Sequence, residues 1–154
     1  MKQVKYVISL GSNLGDRLEI LKAAVESIRL FAHVEAVSSF YETDPVGGPE
    51  QPDYLNAVLL ATTDLLPELV LTELQKIESA AGRVREVRWG ARTLDLDLIT
   101  AGDIEQESDF LTLPHPRAHE RAFVLQPWLE IEPDGQIPGK GWIKALLSAL
   151  ESQE

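Results

Sequence analysis

A strict alternation of polar residues and leucines constrains the fold of this chain more than any other stretch. The alternating residues are, in order, Thr93, Leu94, Asp95, Leu96, Asp97 and Leu98. A period of two residues predicts a β-strand with the aspartates on one face and the leucines on the other. Carboxylates about 7 Å apart on a rigid strand suit a hard cation such as Mg²⁺. An ordinary half-exposed strand with its acids toward water is the alternative interpretation.

Cations gather around this strand, although the chain as a whole is acidic. The formal net charge is −11 at pH 7, yet six of the eight arginines and two of the three histidines lie between Arg83 and Arg121. Glu86 is the only acid between Arg83 and Arg92, so these arginines have few carboxylates nearby. Arginine forks beside carboxylate-held Mg²⁺ are the groups that bind a polyphosphate. The overall negative charge disfavours a nucleic-acid partner.

The length and composition indicate a single globular domain. The chain has 154 residues, and we expect one domain over residues 1–154. It contains no cysteine, which excludes disulfides and thiolate metal sites. It also lacks an apolar run of membrane-spanning length and a signal-peptide pattern. We therefore expect a cytoplasmic monomer that binds neither a membrane nor nucleic acid.

Two strand–helix–strand units follow one another in the predicted order of elements. Apolar β-rich runs predict strands over Val4–Leu10, Val34–Tyr41 and Tyr54–Thr62, and the aspartate strand comes fourth. The first helix follows the N-cap candidate Asp16, and the second begins at Pro67. Helical spacing predicts as their buried residues Leu18, Leu21, Val25, Ile28 and Phe31 in the first helix and Leu69, Val70, Leu74, Ile77 and Ala81 in the second.

The order βαββαβ predicts an α+β fold. The expected architecture is a ferredoxin-like antiparallel sheet with the helices packed on one face and a C-terminal extension. In the extension, Phe110–Leu113 is a candidate short strand and His119–Ala122 a candidate short helix. Trp142–Leu150 is the candidate terminal helix, and the apolar run Phe123–Leu125 is assigned to no element.

Three local features bear on ligand binding. Gly11-Ser12-Asn13 predicts a structural turn, because the spacing of a Walker phosphate loop is absent. Thr43–Pro52 contains three prolines and is long enough to be a functional lid. Gln75 and Glu78 are three residues apart and share a helix face, which for most such pairs is simply solvated.

The chain resembles the 6-hydroxymethyl-7,8-dihydropterin pyrophosphokinase family of folate biosynthesis. The stretch from Arg88 to Ile99 carries the most specific signature of that family. Further matches extend over nearly the whole chain: Gly11-Ser12-Asn13, Tyr41, Thr43, Pro45, Gly47, Gln51 to Asn56, Gln75, Glu78, Gly82-Arg83, Pro114 to Arg117 and Arg121 to Leu125. Two departures are Ala91, where the family commonly has proline, and Trp128, where leucine is commoner.

The resemblance implies an ATP- and Mg²⁺-dependent diphosphotransferase. Such an enzyme transfers pyrophosphate from ATP to the hydroxymethyl group of the dihydropterin and releases AMP. Asp95 and Asp97 would hold two Mg²⁺ ions along the triphosphate, in agreement with the strand argument. Arg83 and Arg92 would stabilise the transferring group. The nucleotide site would be lined by Gln75, Glu78, Trp89, Arg92, Leu98, His115 and Arg121.

The resemblance also implies a pterin site. A flat heteroaromatic ring would lie between Tyr54 and Phe123, as aromatic rings stack. The amide of Asn56 both donates and accepts hydrogen bonds, which suits the polar edge of a pterin. Thr43 and the backbone at Val46 would complete the recognition.

Two other classes compete with this interpretation. A nucleotidyltransferase joins a Gly-Ser turn to an Asp-x-Asp strand but keeps them close, whereas about eighty positions separate Gly11 from Asp95 here. A ferredoxin-like regulatory domain that binds a small ligand explains the fold but neither the arginine cluster nor the paired aspartates. The products formed from ATP distinguish the three classes.

Overall fold

The computed structural model describes residues 3–44, 53–81 and 93–153. The long strands and two helices lie in the first two thirds of this part, and shorter elements follow. The elements are β1 Val4–Ser12, α1 Arg17–Arg29, β2 His33–Val37, β3 Tyr41–Thr43, β4 Tyr54–Thr63, α2 Pro67–Ala80, β5 Asp95–Ala101, β6 Gln106–Glu107, β7 Thr112–Leu113, a 3₁₀ turn Ala118–Glu120, α3 Ala122–Ile131, β8 Gln136–Ile137, β9 Gly141–Trp142 and α4 Ile143–Glu151.

Strands β1 to β5 form one antiparallel sheet. The order across the sheet is β2, β4, β1, β5, and β3 pairs with β4 beyond the end of β2. The α+β class and the antiparallel sheet predicted from the sequence are therefore confirmed. β5 pairs with β1 at one border of the sheet, so the two aspartates lie on an edge strand.

Both faces of the sheet are covered, because residues along each strand alternate between two hydrophobic cores. Ile8 and Leu10 of β1 lie in a core with α1 and α2, and we call this side the back face. Val7 lies in a core with α3 and α4, and we call this side the front face. The sequence predicted helices on one face only. The second core contains Leu125, Trp128 and Ile143, each at most 1% exposed, and each such side chain stabilises the fold by about 1.5–3 kcal/mol.

Helix α3 was not predicted from the sequence. The candidate short helix His119–Ala122 corresponds in part to the 3₁₀ turn Ala118–Glu120, but its C-terminal bound is wrong, because Ala122 begins α3. Pro127 lies in the second turn of α3, where a proline removes one main-chain hydrogen bond and usually argues against a helix. The apolar residues around Pro127 are buried against the front face, and this burial outweighs the lost hydrogen bond.

The predicted strand Val34–Tyr41 is divided into β2 and β3. At the division the Ser38 N–H donates to the Val58 carbonyl at 2.9 Å, and the Ser38 hydroxyl accepts from the Val58 N–H at 2.9 Å. The side chain thus takes the place of a main-chain carbonyl, which interrupts the ladder. The chain then resumes as β3, with Tyr41 opposite Asn56.

Smaller differences concern the ends of elements. Asp16 caps α1 as predicted, by accepting from the Glu19 N–H at 3.3 Å. Leu18 and Leu69, predicted on buried faces, are 39% and 52% exposed, because each lies in the first turn at the end of its apolar stripe. Phe110 precedes β7 and is exposed. None of the helices described here reaches the length and apolarity that a membrane span requires.

Candidate active site on the front face

A row of polar residues crosses the front face near the ends of four strands. Asp95 on β5 lies opposite Gly11 on β1, and Gly11 lies opposite Asn56 on β4. Asn56 in turn lies opposite Tyr41 on β3. Opposed residues of an antiparallel pair share a face, with Cβ positions about 5 Å apart. The register therefore brings an acid of the signature strand to the same surface as a residue predicted to bind the pterin.

The two aspartates share the front face, as the alternation predicted. Asp97 lies opposite Ser9, one step along from the pairing of Asp95 with Gly11. Both carboxylates are partly exposed, whereas the alternating leucines Leu94, Leu96 and Leu98 are buried in the back-face core. Nη1 of Arg121 lies 3.9 Å from Oδ2 of Asp97 and partly balances the charge of the acid pair.

The donor set of these aspartates fits Mg²⁺ held together with a nucleotide. Mg²⁺ commonly binds proteins through one or two carboxylates and fills its other positions with water and phosphate oxygens. Within the described ranges no group of three or more acids or histidines is arranged to hold a metal. Asp95 and Asp97 on one strand face are therefore the candidate ligands, with substrate oxygens completing the shell.

His115 is fixed beside this acid pair as a neutral donor. The main-chain N–H of His115 donates to the Ile99 carbonyl at 2.8 Å, which holds the chain around His115 against β5. The Arg117 N–H donates to Nδ1 of the imidazole at 3.2 Å, so the neutral ring carries its proton on Nε2. Burial, and then the charge of Arg121, lowers the pKa of His115 to about 4 against the opposing effect of Asp95. At neutral pH the ring thus offers Nε2–H to an acceptor such as a phosphate oxygen.

We expect His115 to make the metal-free protein less stable as the pH falls from 6.5 to 4. The unfolded chain protonates this imidazole at its ordinary pKa of 6.5, whereas the folded protein keeps it neutral down to about pH 4. In that window the unfolded state binds more protons than the folded state. The free energy of unfolding therefore becomes smaller as the pH falls. For a partly exposed group we expect a loss of about 2 kcal/mol.

Urea unfolding of the wild type and of His115→Gln, at neutral pH and near pH 4, measures this effect. The wild type should lose about 2 kcal/mol more than the variant over that range. Parallel losses in the two proteins would show that the imidazole does not carry the effect.

Three of the residues predicted to bind the pterin, Thr43, Tyr54 and Asn56, lie together at one end of the front face. Thr43 pairs with Tyr54 across β3 and β4, and the Asn56 amide nitrogen donates to the Thr43 hydroxyl. Phe123 lies in the first turn of α3, which packs against β4. The guanidinium carbon of Arg121 lies 5.5 Å from the centre of the Phe123 ring, within the range of a cation–π contact.

Gly11 is a strand residue, not the turn residue that the sequence suggested. β1 continues through Gly11 and Ser12. A Cβ at Gly11 would lie 3.1 Å from Oδ1 of Asn56 and 3.5 Å from Cδ1 of Tyr54. A side chain at this position would therefore crowd the Asn56 amide and touch the Tyr54 ring. A glycine that ends an apolar β-rich run is the sequence signal for such an approach.

Three residues predicted to line the nucleotide site have different environments. Glu78 is 4% exposed, and its carboxylate accepts from the Leu96 N–H of β5 at 2.8 Å. The solvated helix face expected for Gln75 and Glu78 is thus wrong for Glu78, which supports the edge strand, while Gln75 is exposed. The side chain of Leu98 lies in the back-face core, so a ligand on the front face would meet only its main chain.

Four predicted site residues lie outside the described residues. They are Val46, Arg83, Trp89 and Arg92. The same holds for residues 45–52 of the predicted lid segment.

Sequence reasoning missed Glu130, which braces the site from α3. Its carboxylate accepts from the Ser39 N–H at 3.0 and 3.1 Å, from the Ser39 hydroxyl at 3.0 Å and from the Tyr41 hydroxyl at 2.5 Å. The hydrogen bond from Tyr41, followed by those from Ser39, lowers the pKa of Glu130. No local pattern announces this contact, because Tyr41 and Glu130 are 89 positions apart in the chain.

A protein-family model matches most of the chain. The model is described as 7,8-dihydro-6-hydroxymethylpterin-pyrophosphokinase (HPPK), and it matches residues 7–133. This range contains the acid pair, the pterin-site candidates and Glu130.

Two relatives are similar over most of their length. The 2-amino-4-hydroxy-6-hydroxymethyldihydropteridine pyrophosphokinase of Haemophilus influenzae is 44% identical over 142 residues, which cover 91% of this chain and 89% of the relative. The protein of the same name from Bacillus subtilis is 47% identical over 133 residues, which cover 85% of this chain and 79% of the relative.

Solved structures share the fold. A crystal structure of HPPK-DHPS in complex with substrates has a TM-score of 0.78 and 14% sequence identity, and the likeness covers 99% of this chain. The present chain spans 44% of that longer chain, and a likeness at this identity concerns the fold alone. With the family model and both relatives in agreement, the chain belongs to the 7,8-dihydro-6-hydroxymethylpterin-pyrophosphokinase family.

Proposed function

We propose that this protein transfers pyrophosphate from ATP to 6-hydroxymethyl-7,8-dihydropterin and releases AMP, as a step of folate biosynthesis. One observation carries the proposal. The acid pair of β5 and the polar residues Asn56 and Thr43 lie on one face of the sheet, with side-chain-free Gly11 between them. A metal–triphosphate on one side and a flat heterocycle on the other would therefore meet over Gly11.

In the proposed reaction the hydroxymethyl oxygen of the pterin attacks the β-phosphorus of ATP. The bond from that phosphorus to the oxygen bridging the α-phosphate breaks, AMP leaves, and the hydroxyl proton is released, with Asp97 as the candidate acceptor. Asp95 and Asp97 would hold two Mg²⁺ ions, which would supply charge neutralisation of the triphosphate and polarisation of the β-phosphorus. The protein then has to hold the two reactants in line and to supply charge.

In this proposal the cationic residues bind the phosphates, and the aromatic and polar residues bind the pterin. His115 donates its Nε2–H to a phosphate oxygen, and Arg121 binds phosphate where it now faces Asp97. Tyr54 and Phe123 stack on the two faces of the pterin, while Asn56 and Thr43 bind its edge. By family resemblance we also assign Arg83 and Arg92 to the transferring group, Val46 to the pterin, and Gln75, Trp89 and the main chain of Leu98 to the nucleotide, with Glu78 holding the β5 main chain beside it.

The finer structural expectations form part of the same proposal. The strand order β2, β4, β1, β5 supports a ferredoxin-like arrangement. In that arrangement the first strand lies beside the third and the fourth, which are β4 and β5 here when β2 and β3 are counted as one divided strand. We assign residues 1–154 to one pyrophosphokinase domain that acts as a cytoplasmic monomer. Its partners are ATP and the pterin.

Incubation with ATP, Mg²⁺ and the dihydropterin tests the proposal, with nucleotide products separated by chromatography. We expect AMP and the pterin diphosphate in equal amounts, and no AMP when the pterin is omitted. Release of pyrophosphate would instead indicate a nucleotidyltransferase. Binding of a small ligand without turnover of ATP would indicate a regulatory domain.

A further inference from the structure

One guanidinium joins two strands behind the predicted pterin site. Arg17 is the first residue of α1, next to the N-cap Asp16. Its Nη1 donates to the Asp53 carbonyl at 2.9 Å, and its Nη2 donates to Oε1 of Glu42 at 2.6 Å. The two acceptors belong to different chain segments, so a single planar fork bridges them.

The bridged positions are the sequence neighbours of two residues predicted to bind the pterin. Glu42 precedes Thr43, Asp53 precedes Tyr54, and Thr43 pairs with Tyr54. Glu42 lies opposite Leu55, which belongs to the back-face core, whereas Thr43 and Tyr54 lie on the front face. The Arg17 guanidinium therefore binds the β3–β4 pair from the back face, next to Thr43 and Tyr54.

The pairing of β3 with β4 depends on additional contacts because β3 is short. It has three residues and pairs with β4, and a strand this short has little stability of its own. The ion pair of Arg17 with Glu42 is partly exposed, with side-chain accessibilities of 30% and 61%. An ion pair of this kind adds little to the free energy of unfolding of the whole protein. Its main effect is therefore on the pairing of β3 with β4.

We propose that Arg17 is a positioning residue for pterin recognition: it keeps the end of β3 paired with β4 and so keeps Thr43 beside Tyr54 and Asn56. The inference rests on the proposed function. Without the fork, the paired arrangement is a smaller fraction of the population, and the apparent affinity for the pterin falls by that fraction.

Arg17→Met tests the inference, because it keeps an unbranched apolar stem and removes the guanidinium with both of its hydrogen bonds. Arg17→Lys keeps the charge but cannot bridge both acceptors, so it should lie between Arg17→Met and the wild type. Arg29→Met is the matched control. Arg29 lies at the other end of α1 in a comparable exposed ion pair with Glu26, at 3.0 Å.

We expect Arg17→Met to raise the dissociation constant and the KM for the pterin about fivefold. The kcat, the affinity for a non-hydrolysable ATP analogue and the melting temperature should change little, because uniform binding energy is lost and the fold is kept. Amide hydrogen exchange in β3 should become faster in Arg17→Met. Arg29→Met should behave as the wild type in all these measurements.

Two results would overturn the inference while leaving the proposed function intact. One is unchanged pterin affinity in Arg17→Met, and the other is an equal loss for pterin and ATP analogue. A wild-type protein that binds ATP but no pterin would overturn the inference and the proposed function together.

Discussion

Replacing Asp97 by Asn is expected to lower turnover at least a thousandfold while the protein stays folded. The amide has nearly the shape of the carboxylate but no charge to hold a cation. Metal-based charge stabilisation contributes several kcal/mol to a transition state, and a thousandfold corresponds to about 4 kcal/mol. Asp95→Asn should have a similar effect, because both carboxylates share the front face of β5.

Stability and metal binding separate this effect from a general loss of structure. Asp97 is partly exposed and its ion pair with Arg121 is long, at 3.9 Å, so the variant should melt close to the wild type. Binding of Mn²⁺ together with an ATP analogue should weaken in both aspartate variants. Asp103→Asn, an exposed position just beyond β5, is the matched control and should keep full activity. Near-normal turnover of Asp95→Asn or Asp97→Asn would refute the metal assignment.

Replacing Gly11 by Val is expected to weaken pterin binding about a hundredfold. The first carbon of any side chain here lies 3.1 Å from Oδ1 of Asn56, and the two methyl groups of valine need further room. Asn56 and Tyr54 must then move, and the loss of one hydrogen bond and one stacking contact, about 1–1.5 kcal/mol each, weakens binding about a hundredfold. Valine is otherwise favoured in strands, so β1 should still form.

A graded series makes the Gly11 experiment specific. Gly11→Ala requires the neighbours to give by only a few tenths of an ångström, so its loss of pterin affinity should lie well below that of Gly11→Val. Calorimetry with the pterin and circular dichroism of each variant provide the measurements. If Gly11→Val bound the pterin as tightly as the wild type, the pterin would not lie over this row of the front face.

The sequence predicted best those features that a local pattern records. The alternation around Asp95 and Asp97 correctly predicted a strand and the face of each residue, because side-chain direction in a strand depends only on parity. Asp16 was also correctly identified as a helix cap. Its hydrogen bond from the Glu19 N–H joins residues only three positions apart, so the local sequence records it.

The features that the sequence did not reveal depend on distant partners. Glu78 has the spacing of a solvated helix residue, and it is buried because the Leu96 N–H of an edge strand needs an acceptor. The apolar run Phe123–Leu125 was assigned to no element, yet burial against the front face stabilises a helix there that contains Pro127. Arg17 resembles any first-turn cation until the sheet brings Glu42 and Asp53 to it.

The brace formed by Glu130 has a consequence for ligand discrimination. Glu130 and Phe123 lie about two turns apart on α3, and Glu130 is bonded to Ser39 and Tyr41, just before Thr43. In the proposed pterin site, this carboxylate would hold the Phe123 ring on the helix and the Tyr54 ring on the sheet at a set spacing. Such a spacing would admit a single planar ring system and exclude a puckered or substituted one. We therefore expect Glu130→Gln to relax the selectivity for a planar ring more than it reduces the affinity for the flat ligand.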